Sequence, residues 1–202
     1  MDKSERYIVG IDEVGRGPIA GPVAVGAFIC REDFFTTITI DTPLRDSKKL
    51  TKIQREKWFE YLKEEKKKGN CDFSVSLVSA FDIDKFGIVP CINKALNKSL
   101  RNIINFQDLD LFSIYLDGGL KAPKEYINQE TIVKGDELYP VISCASIMAK
   151  VSRDNLMDKY GKEFPVYGFE KHMGYGTKAH YDAIKKHGII ELHRKTYLKN
   201  IL

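Results

Sequence analysis

Short apolar segments that end in an acidic residue constrain the fold of this chain more than any other feature. Asp12 ends the segment YIVGID, and Glu13 comes directly after it. Asp117 ends FSIYLD. Asp136 follows the segment ETIV, from which Lys134 and Gly135 separate it. Segments of this length and composition predict β-strands. Strands that end in carboxylates bring those groups together at one edge of a sheet, so we expect an acidic cluster there.

The other periodic segments predict helices that pack against this sheet. Thr51 and Gln54 form a capping box that begins a helix, and Gly69 ends it. The alternation of strands and helices predicts an α/β fold with a mixed sheet and a small helical appendage over the last ~40 residues. Strands are predicted over 7–12, 22–29, 71–79, 112–117 and 130–133, and further helices over 89–106, over 138–160 and from about 177 onward.

An acidic cluster at a sheet edge predicts a metal site. Clustered carboxylates repel each other, and a divalent cation removes that penalty. Oxygen ligands favour Mg²⁺ or Mn²⁺, and no His or Cys set with ligand spacing competes. Four acids suit two ions that clamp a scissile phosphate. Taken alone, the same positions fit ordinary solvated acids equally well.

The neighbours Asp12 and Glu13 place a geometric condition on this site. Successive strand residues point to opposite faces, so both side chains cannot face the ions from a regular strand. We therefore predict that the chain turns at Glu13, since the glycines that follow permit a turn.

Charge and cysteine usage agree with a phosphate-binding protein from a reducing compartment. The chain has 32 Lys and Arg against 28 Asp and Glu, a net charge of +4. Its four cysteines form no CxxC pair, which predicts buried thiols in the cytoplasm. The N-terminus lacks the apolar core of a signal peptide, and no apolar run approaches the ~20 residues of a membrane span.

A series of motifs, in order along residues 7 to about 197, resembles the type 2 ribonuclease H (ribonuclease HII) family. They are DEVGRG from Asp12, DSKKL from Asp46, Asp117-Gly118, Lys134-Gly135-Asp136, ASIMAKV with Arg153-Asp154, and GYGT from Gly174. The resemblance implies a ribonuclease H-like fold with a mixed five-stranded sheet flanked by helices. It further implies that the catalytic and metal-binding acids are Asp12, Glu13, Asp117 and Asp136.

The resemblance also implies the activity. Such an enzyme cuts the RNA strand of RNA–DNA hybrids and cuts 5′ of single ribonucleotides in duplex DNA, leaving 3′-hydroxyl and 5′-phosphate ends. Two Mg²⁺ or Mn²⁺ ions would assist it in ribonucleotide and primer removal. Two alternatives remain: a non-catalytic nucleic-acid-binding module, and another nuclease, such as an exonuclease or resolvase, on the same fold. A monomer is the default expectation.

Asp154 competes with Asp136 for the fourth acidic position. Asp154 lies four residues after Lys150 within a predicted helix, which is the spacing of a helical ion pair. Asp136 precedes that helix on a glycine-permitted bend, and we prefer it for that reason.

A loop and an aromatic residue are candidates for ribose recognition. Gly15 and Gly17 let the backbone approach a sugar closely, and Arg16 between them can bind phosphate. Tyr175 lies between two glycines, which favours an exposed ring that stacks on the substrate, although a plain turn and a core tyrosine are the alternatives. Candidate phosphate contacts are Lys48, Lys49, Lys150, Arg153 and Lys178.

Two regions are expected: a catalytic domain over 1–165 and a C-terminal helical segment that grips substrate over 166–202. Met173 and residues 189–191 depart from the family's basic and proline-rich pattern, which concerns this grip rather than the chemistry.

Overall fold

A mixed five-stranded sheet forms the centre of the computed structural model, which describes residues 6–45, 47–104 and 109–199. The strands are β1 Tyr7–Val14, β2 Val23–Arg31, β3 Cys71–Val78, β4 Phe112–Asp117 and β5 Gln129–Ile132. Their spatial order is β3-β2-β1-β4-β5. β2 runs antiparallel to β1 and β3, whereas β4 runs parallel to β1 and β5, so the predicted mixed sheet is confirmed.

Helices cover both faces of the sheet. They are α1 Lys52–Lys67, α2 Ala80–Phe86, α3 Ile88–Ile103, α4 Gly135–Leu138, α5 Pro140–Glu163, α6 Phe169–His172 and α7 Lys178–His187. α3 packs against β2 and β3 on one face, and α5 packs against β1 and β2 on the other. The capping box of Thr51 and Gln54 is present, and α1 begins directly after Thr51 as predicted. The predicted end of α3 at Phe106 lies outside the described residues, and the helix ends at Ile103.

Two glycines allow α5 to lie directly on the sheet. A Cβ atom on Gly10 would overlap the Val141 carbonyl, and one on Gly26 would overlap the Ala145 carbonyl. Such an approach of helix backbone to strand backbone requires residues without a side chain. This contact fixes where α5 and the short helix before it lie relative to β1.

The apolar interior consists of three clusters. One lies between the sheet and α3, and the second lies between the sheet, α5 and α1. The third joins the end of α5 to the C-terminal region and contains Ile19, Met157, Phe169, Ile184 and Leu198. All four cysteines are buried free thiols, as their spacing predicted.

The C-terminal segment returns to the connection between β1 and β2. Ala20 and His193 form an isolated antiparallel bridge. Arg194 donates its backbone N–H to the Ile19 carbonyl at 2.8 Å, and Gly21 donates to Leu192 at 2.8 Å. Within the described parts of the chain, no helix combines the length and apolarity that a bilayer crossing needs.

Candidate active site

Three aspartates meet where β4 ends beside the last residues of β1. Ligand oxygens of Asp12, Asp117 and Asp136 all lie within 4.8 Å of one another. β1 and β4 are parallel neighbours with Ile11 opposite Leu116, so the two following residues, both aspartates, lie side by side. The predicted convergence of Asp12, Asp117 and Asp136 is therefore present in the structure.

Asp136 reaches this edge because the chain bends sharply after β5. Lys134 adopts the left-handed conformation with φ of 57°. Gly135 then donates its N–H to the Asp117 carboxylate at 2.7 Å, and Ser143 donates its hydroxyl to the Asp136 carbonyl at 2.7 Å. The bend was expected to depend on glycine conformation, but Lys134 has the positive φ. Gly135 is needed for space, since a Cβ there would lie 2.6 Å from Ile142 Cδ1.

Burial makes the Asp12 carboxylate costly to ionise. Desolvation, opposed by a hydrogen bond with Ser146, raises its pKa from 3.8 to about 8, and repulsion from Asp117, Glu13 and Asp136 adds to the rise. At neutral pH the cluster without a cation therefore keeps a proton on Asp12. A positive ion would favour the ionised form by removing both the repulsion and the need for a proton.

The spacing of the three aspartates fits a divalent cation. Mg²⁺ binds oxygen at about 2.1 Å, so oxygens on opposite sides of one ion lie about 4.2 Å apart. The observed spread of up to 4.8 Å needs only a small closure of the carboxylates. The donor set is all oxygen, which suits Mg²⁺ or Mn²⁺.

The prediction for Glu13 is wrong in one respect. The chain does not turn at this residue, because Glu13 and Val14 continue the ladder opposite Val25 and Ala24, and the turn comes at Gly15 with φ of 87°. Strand alternation then directs Glu13 away from the face that carries Asp12. Glu13 lies outside the cluster of three aspartates.

The Glu13 side chain lies instead at the rim of the site. Its carboxylate is 3.4 Å from the Arg16 guanidinium. Desolvation raises the pKa of Glu13, Arg16 lowers it, and Asp117 raises it further. Glu13 is thus close enough to Asp117 to sense its charge while bonded to Arg16.

The predicted role of Arg153 as a phosphate contact is also wrong. Its side chain is fully buried. The guanidinium donates to the carbonyls of Pro22 at 2.9 Å, Met173 at 2.9 Å and Ala20 at 3.3 Å. Position on a helix next to charged residues suggested an exposed cation, whereas the structure makes it an internal support for the connection between β1 and β2.

Arg194, for which no role was predicted, supports the same connection from the C-terminal segment. It too is fully buried. It donates to the carbonyls of Gly21 at 3.0 Å, Arg16 at 2.9 Å and Gly15 at 2.7 Å. A buried arginine can be recognised from sequence only when its distant partners are known.

Tyr175 is exposed beside this connection, as its flanking glycines predicted. The exposed fraction of Tyr175 is 49%, whereas that of Tyr167 is 5%. A Cβ placed on Gly17 would lie 3.8 Å from the Tyr175 ring, so the ring borders the loop that begins at Gly15.

A chain of histidines holds the backbone of Tyr175. His193 Nδ1 accepts the Ile190 N–H, so His193 Nε2 carries a proton and donates to His180 Nε2 at 3.2 Å. His180 Nδ1 then donates to the Tyr175 carbonyl at 2.8 Å. Desolvation lowers the pKa of His180 to about 4, and that of His193 also falls. Both rings are therefore neutral at physiological pH.

The lysine candidates differ in their surroundings. Lys48 lies 3.5 Å from Asp136, and Lys49 pairs with Glu137 at 2.6 Å. Lys150 pairs with Asp154 at 2.9 Å, which confirms the helical ion pair and leaves Asp154 outside the acidic cluster. Lys178 is exposed at the start of α7. Asp46, part of the DSKKL motif, lies outside the described residues.

Comparisons with known proteins show the family to which the chain is similar. The family model for ribonuclease HII matches residues 9–200. A ribonuclease HII of Clostridioides difficile is 41% identical over 201 residues, covering 100% of this chain and 73% of that protein. One from Endomicrobium trichonymphae is 43% identical over 190 residues, covering 94% and 84%.

A solved structure shares the fold. The ribonuclease H2 of Pyrococcus horikoshii superposes with a TM-score of 0.70 at 28% identity, covering 96% of each chain. The predicted ribonuclease H-like fold is thereby confirmed. The sequence match over nearly the whole chain, the shared fold and the meeting of the three aspartates lead to one conclusion: this chain belongs to the ribonuclease HII family of endoribonucleases, which cleave the RNA of RNA–DNA hybrids.

Proposed function

We propose that this enzyme cuts the RNA strand of hybrids and also cuts 5′ of single ribonucleotides embedded in duplex DNA, leaving 3′-hydroxyl and 5′-phosphate ends. In the cell it would serve ribonucleotide removal and primer removal. One observation carries the proposal: three aspartates share a site within 4.8 Å, at the end of the strand that leads into the Gly15–Gly17 loop. That placement would put a sugar held by the loop next to the acids.

Asp12, Asp117 and Asp136 are the residues that would hold Mg²⁺ or Mn²⁺. Glu13 would join them only by turning its side chain toward Asp117 when substrate draws Arg16 away. When bound with substrate, two such ions would supply Lewis-acid activation of water and neutralisation of phosphate charge. Asp12 would release its proton as the site loads. Gly135 would keep the Asp117 carboxylate oriented through its N–H, as it does at 2.7 Å in the structure.

The rest of the site would position the duplex. The exposed Arg16 and Lys48 would contact phosphates, which orients a duplex without reading its sequence. Gly15 and Gly17 would bring backbone groups close to the 2′-hydroxyl, the group that distinguishes RNA from DNA. Tyr175 would stack on the neighbouring sugar. The segment over 166–202, which includes Tyr175, would grip the substrate.

The decisive experiment uses a DNA duplex with one ribonucleotide, assayed with Mg²⁺, with Mn²⁺ and with a chelator. We expect one cut, 5′ of the ribonucleotide, only with metal, and none in pure DNA. Asp117→Asn should abolish cleavage, because the amide cannot supply the negative charge that the metal ions need. Duplex binding should remain largely intact. Asp110→Asn is the matched control, since Asp110 is exposed just before β4.

Two results would contradict the proposal. If Asp117→Asn cleaved at the rate of the Asp110→Asn control, the acidic cluster would not be required for cleavage. Metal-independent duplex binding without any product would instead favour a non-catalytic binding module.

A further inference from the structure

The connection between β1 and β2, residues 15–22 and here called the β1–β2 loop, has its carbonyl groups turned into the protein. Arg194 binds the carbonyls of Gly15, Arg16 and Gly21. Arg153 binds those of Ala20 and Pro22. Two buried guanidinium groups thus hold five carbonyls of one loop.

This arrangement determines where the N–H groups of the loop point. In a trans peptide the C=O and the following N–H point in opposite directions. Because the carbonyls of Gly15 and Arg16 point inward to Arg194, the N–H groups of Arg16 and Gly17 point outward. Both residues are exposed, and neither N–H donates to another group in the described parts of the chain.

The two arginines also place positive charge behind the loop. Both are fully buried, and neither has a carboxylate within ion-pair distance among the described residues. Desolvation and repulsion from Arg194 lower the pKa of Arg153 to about 10, so it remains charged at neutral pH. Buried charge without a paired anion is unfavourable for folding. Outward N–H groups above buried cations form an anion-binding surface.

Hydrogen bonds join the β1–β2 loop to the segment that carries Tyr175. Ile19 and Ala20 donate their N–H groups to the Gly174 carbonyl at 3.0 and 3.2 Å. Gly174 directly precedes Tyr175, and Arg153 holds the carbonyl of Met173 just before it. Gly15 has no room for a side chain, because a Cβ there would overlap Arg153.

We propose that Arg153 and Arg194 are positioning residues for ribonucleotide recognition: they hold the N–H groups of Arg16 and Gly17 outward and add positive potential for the ribose-linked phosphate. This inference rests on the proposed function and extends it to two residues that the substrate does not touch. The alternative is that the two arginines only hold the C-terminal segment against the core and have no effect on recognition.

The test replaces Arg194 in graded steps. Arg194→Lys retains charge but loses the planar fork that binds three carbonyls, and Arg194→Met loses both. We expect kcat/KM on the single-ribonucleotide duplex to fall about 10-fold for lysine and about 100-fold for methionine, since bonds to charged groups are lost. The loss should lie mainly in KM. Guanidinium ion should restore part of the activity of Arg194→Ala.

Binding gives a readout that does not depend on turnover. In the Asp117→Asn background, we expect Arg194→Met to reduce the ratio of affinities for ribonucleotide-containing and all-DNA duplexes. With Asp117 intact, Arg194→Met should bind Mn²⁺ as tightly as the unmodified enzyme does. Leu62→Ala is the stability control, because it opens a cavity in the core beside α1, remote from the loop. This control should leave the affinity ratio unchanged and should not respond to guanidinium.

The outcomes separate the two proposals. If the unmodified enzyme cuts no ribonucleotide-containing duplex, the proposed function fails. If it cuts, but Arg194→Met matches Leu62→Ala in KM and affinity ratio, and guanidinium does not restore activity to Arg194→Ala, the two arginines have only a structural role and this inference is overturned.

Discussion

Replacement of Asp12 by asparagine should stabilise the metal-free protein, although it removes a proposed metal ligand. The pKa of Asp12 is raised from 3.8 to about 8 in the fold, so at pH 7 the folded state keeps a proton that the unfolded state has released. Between the unfolded pKa of 3.8 and pH 7, retention of this proton lowers the free energy of unfolding by about 4 kcal/mol. Asparagine does not ionise, so it avoids this loss.

The sign of the effect gives it a characteristic pH dependence. Because the pKa of Asp12 is higher in the folded state, its contribution to the stability of the fold is fully present below pH 3.8. That contribution is lost as pH rises toward 8. The advantage of Asp12→Asn should therefore be near zero at pH 4 and reach up to about 4 kcal/mol at pH 7. Mg²⁺ should narrow the difference, since the unmodified site gains more binding energy than the variant, which lacks one of the three proposed ligands.

Urea unfolding with a chelator, followed by the fluorescence of the single tryptophan Trp58, measures this difference at each pH. Asp110→Asn, exposed and remote from the cluster, should show no comparable gain. The reasoning would be refuted if Asp12→Asn were the less stable protein at pH 7 without metal, or if its advantage did not change between pH 4 and pH 7.

Three further predictions follow from contacts described above. Gly10→Ala should lower the unfolding free energy by about 1–3 kcal/mol or more in urea titrations, because its Cβ overlaps α5, whereas Gly119→Ala, with no atom within 4 Å, should cost far less. The folded pKa of His180 is lowered to about 4, so unfolding takes up a proton there. Stability should therefore fall as pH drops from about 6.5 toward 4, by about 3 kcal/mol, and His180→Gln should show a weaker acid dependence. Tyr175→Ala should reduce cleavage at single ribonucleotides about 10- to 100-fold in kinetic assays, whereas Tyr175→Phe should retain most of it; equal rates for the two variants would contradict stacking.

Features determined by local interactions could be predicted from the sequence. The start of α1 follows from the capping box of Thr51 and Gln54, and β4 ends at Asp117 as its pattern indicated. The meeting of Asp12, Asp117 and Asp136 was also predictable, since strands that end in acids share one edge. The short α2 escaped prediction, although Ser79 caps it through the N–H of Asp82.

Features determined by distant contacts could not be predicted in this way. β1 continues through Glu13 because β2 offers pairing partners there, which outweighs the tendency of the following glycines to turn the chain. Arg153 has the sequence surroundings of an exposed cation, and only the return of residues 20 and 22 to α5 shows that it is buried. Catalytic roles for the acids remain predictions for the experiments above.

The support of Gly15 and Arg16 by Arg194 spans 179 and 178 residues of chain. Contacts this far apart close very large loops, so we expect them to form late. A ribosome will have released the strands that carry Asp12 and Asp117 long before the segment around Arg194 emerges. We therefore expect a nascent chain to gather its acids early and to acquire the ability to recognise a ribose only when synthesis is almost complete.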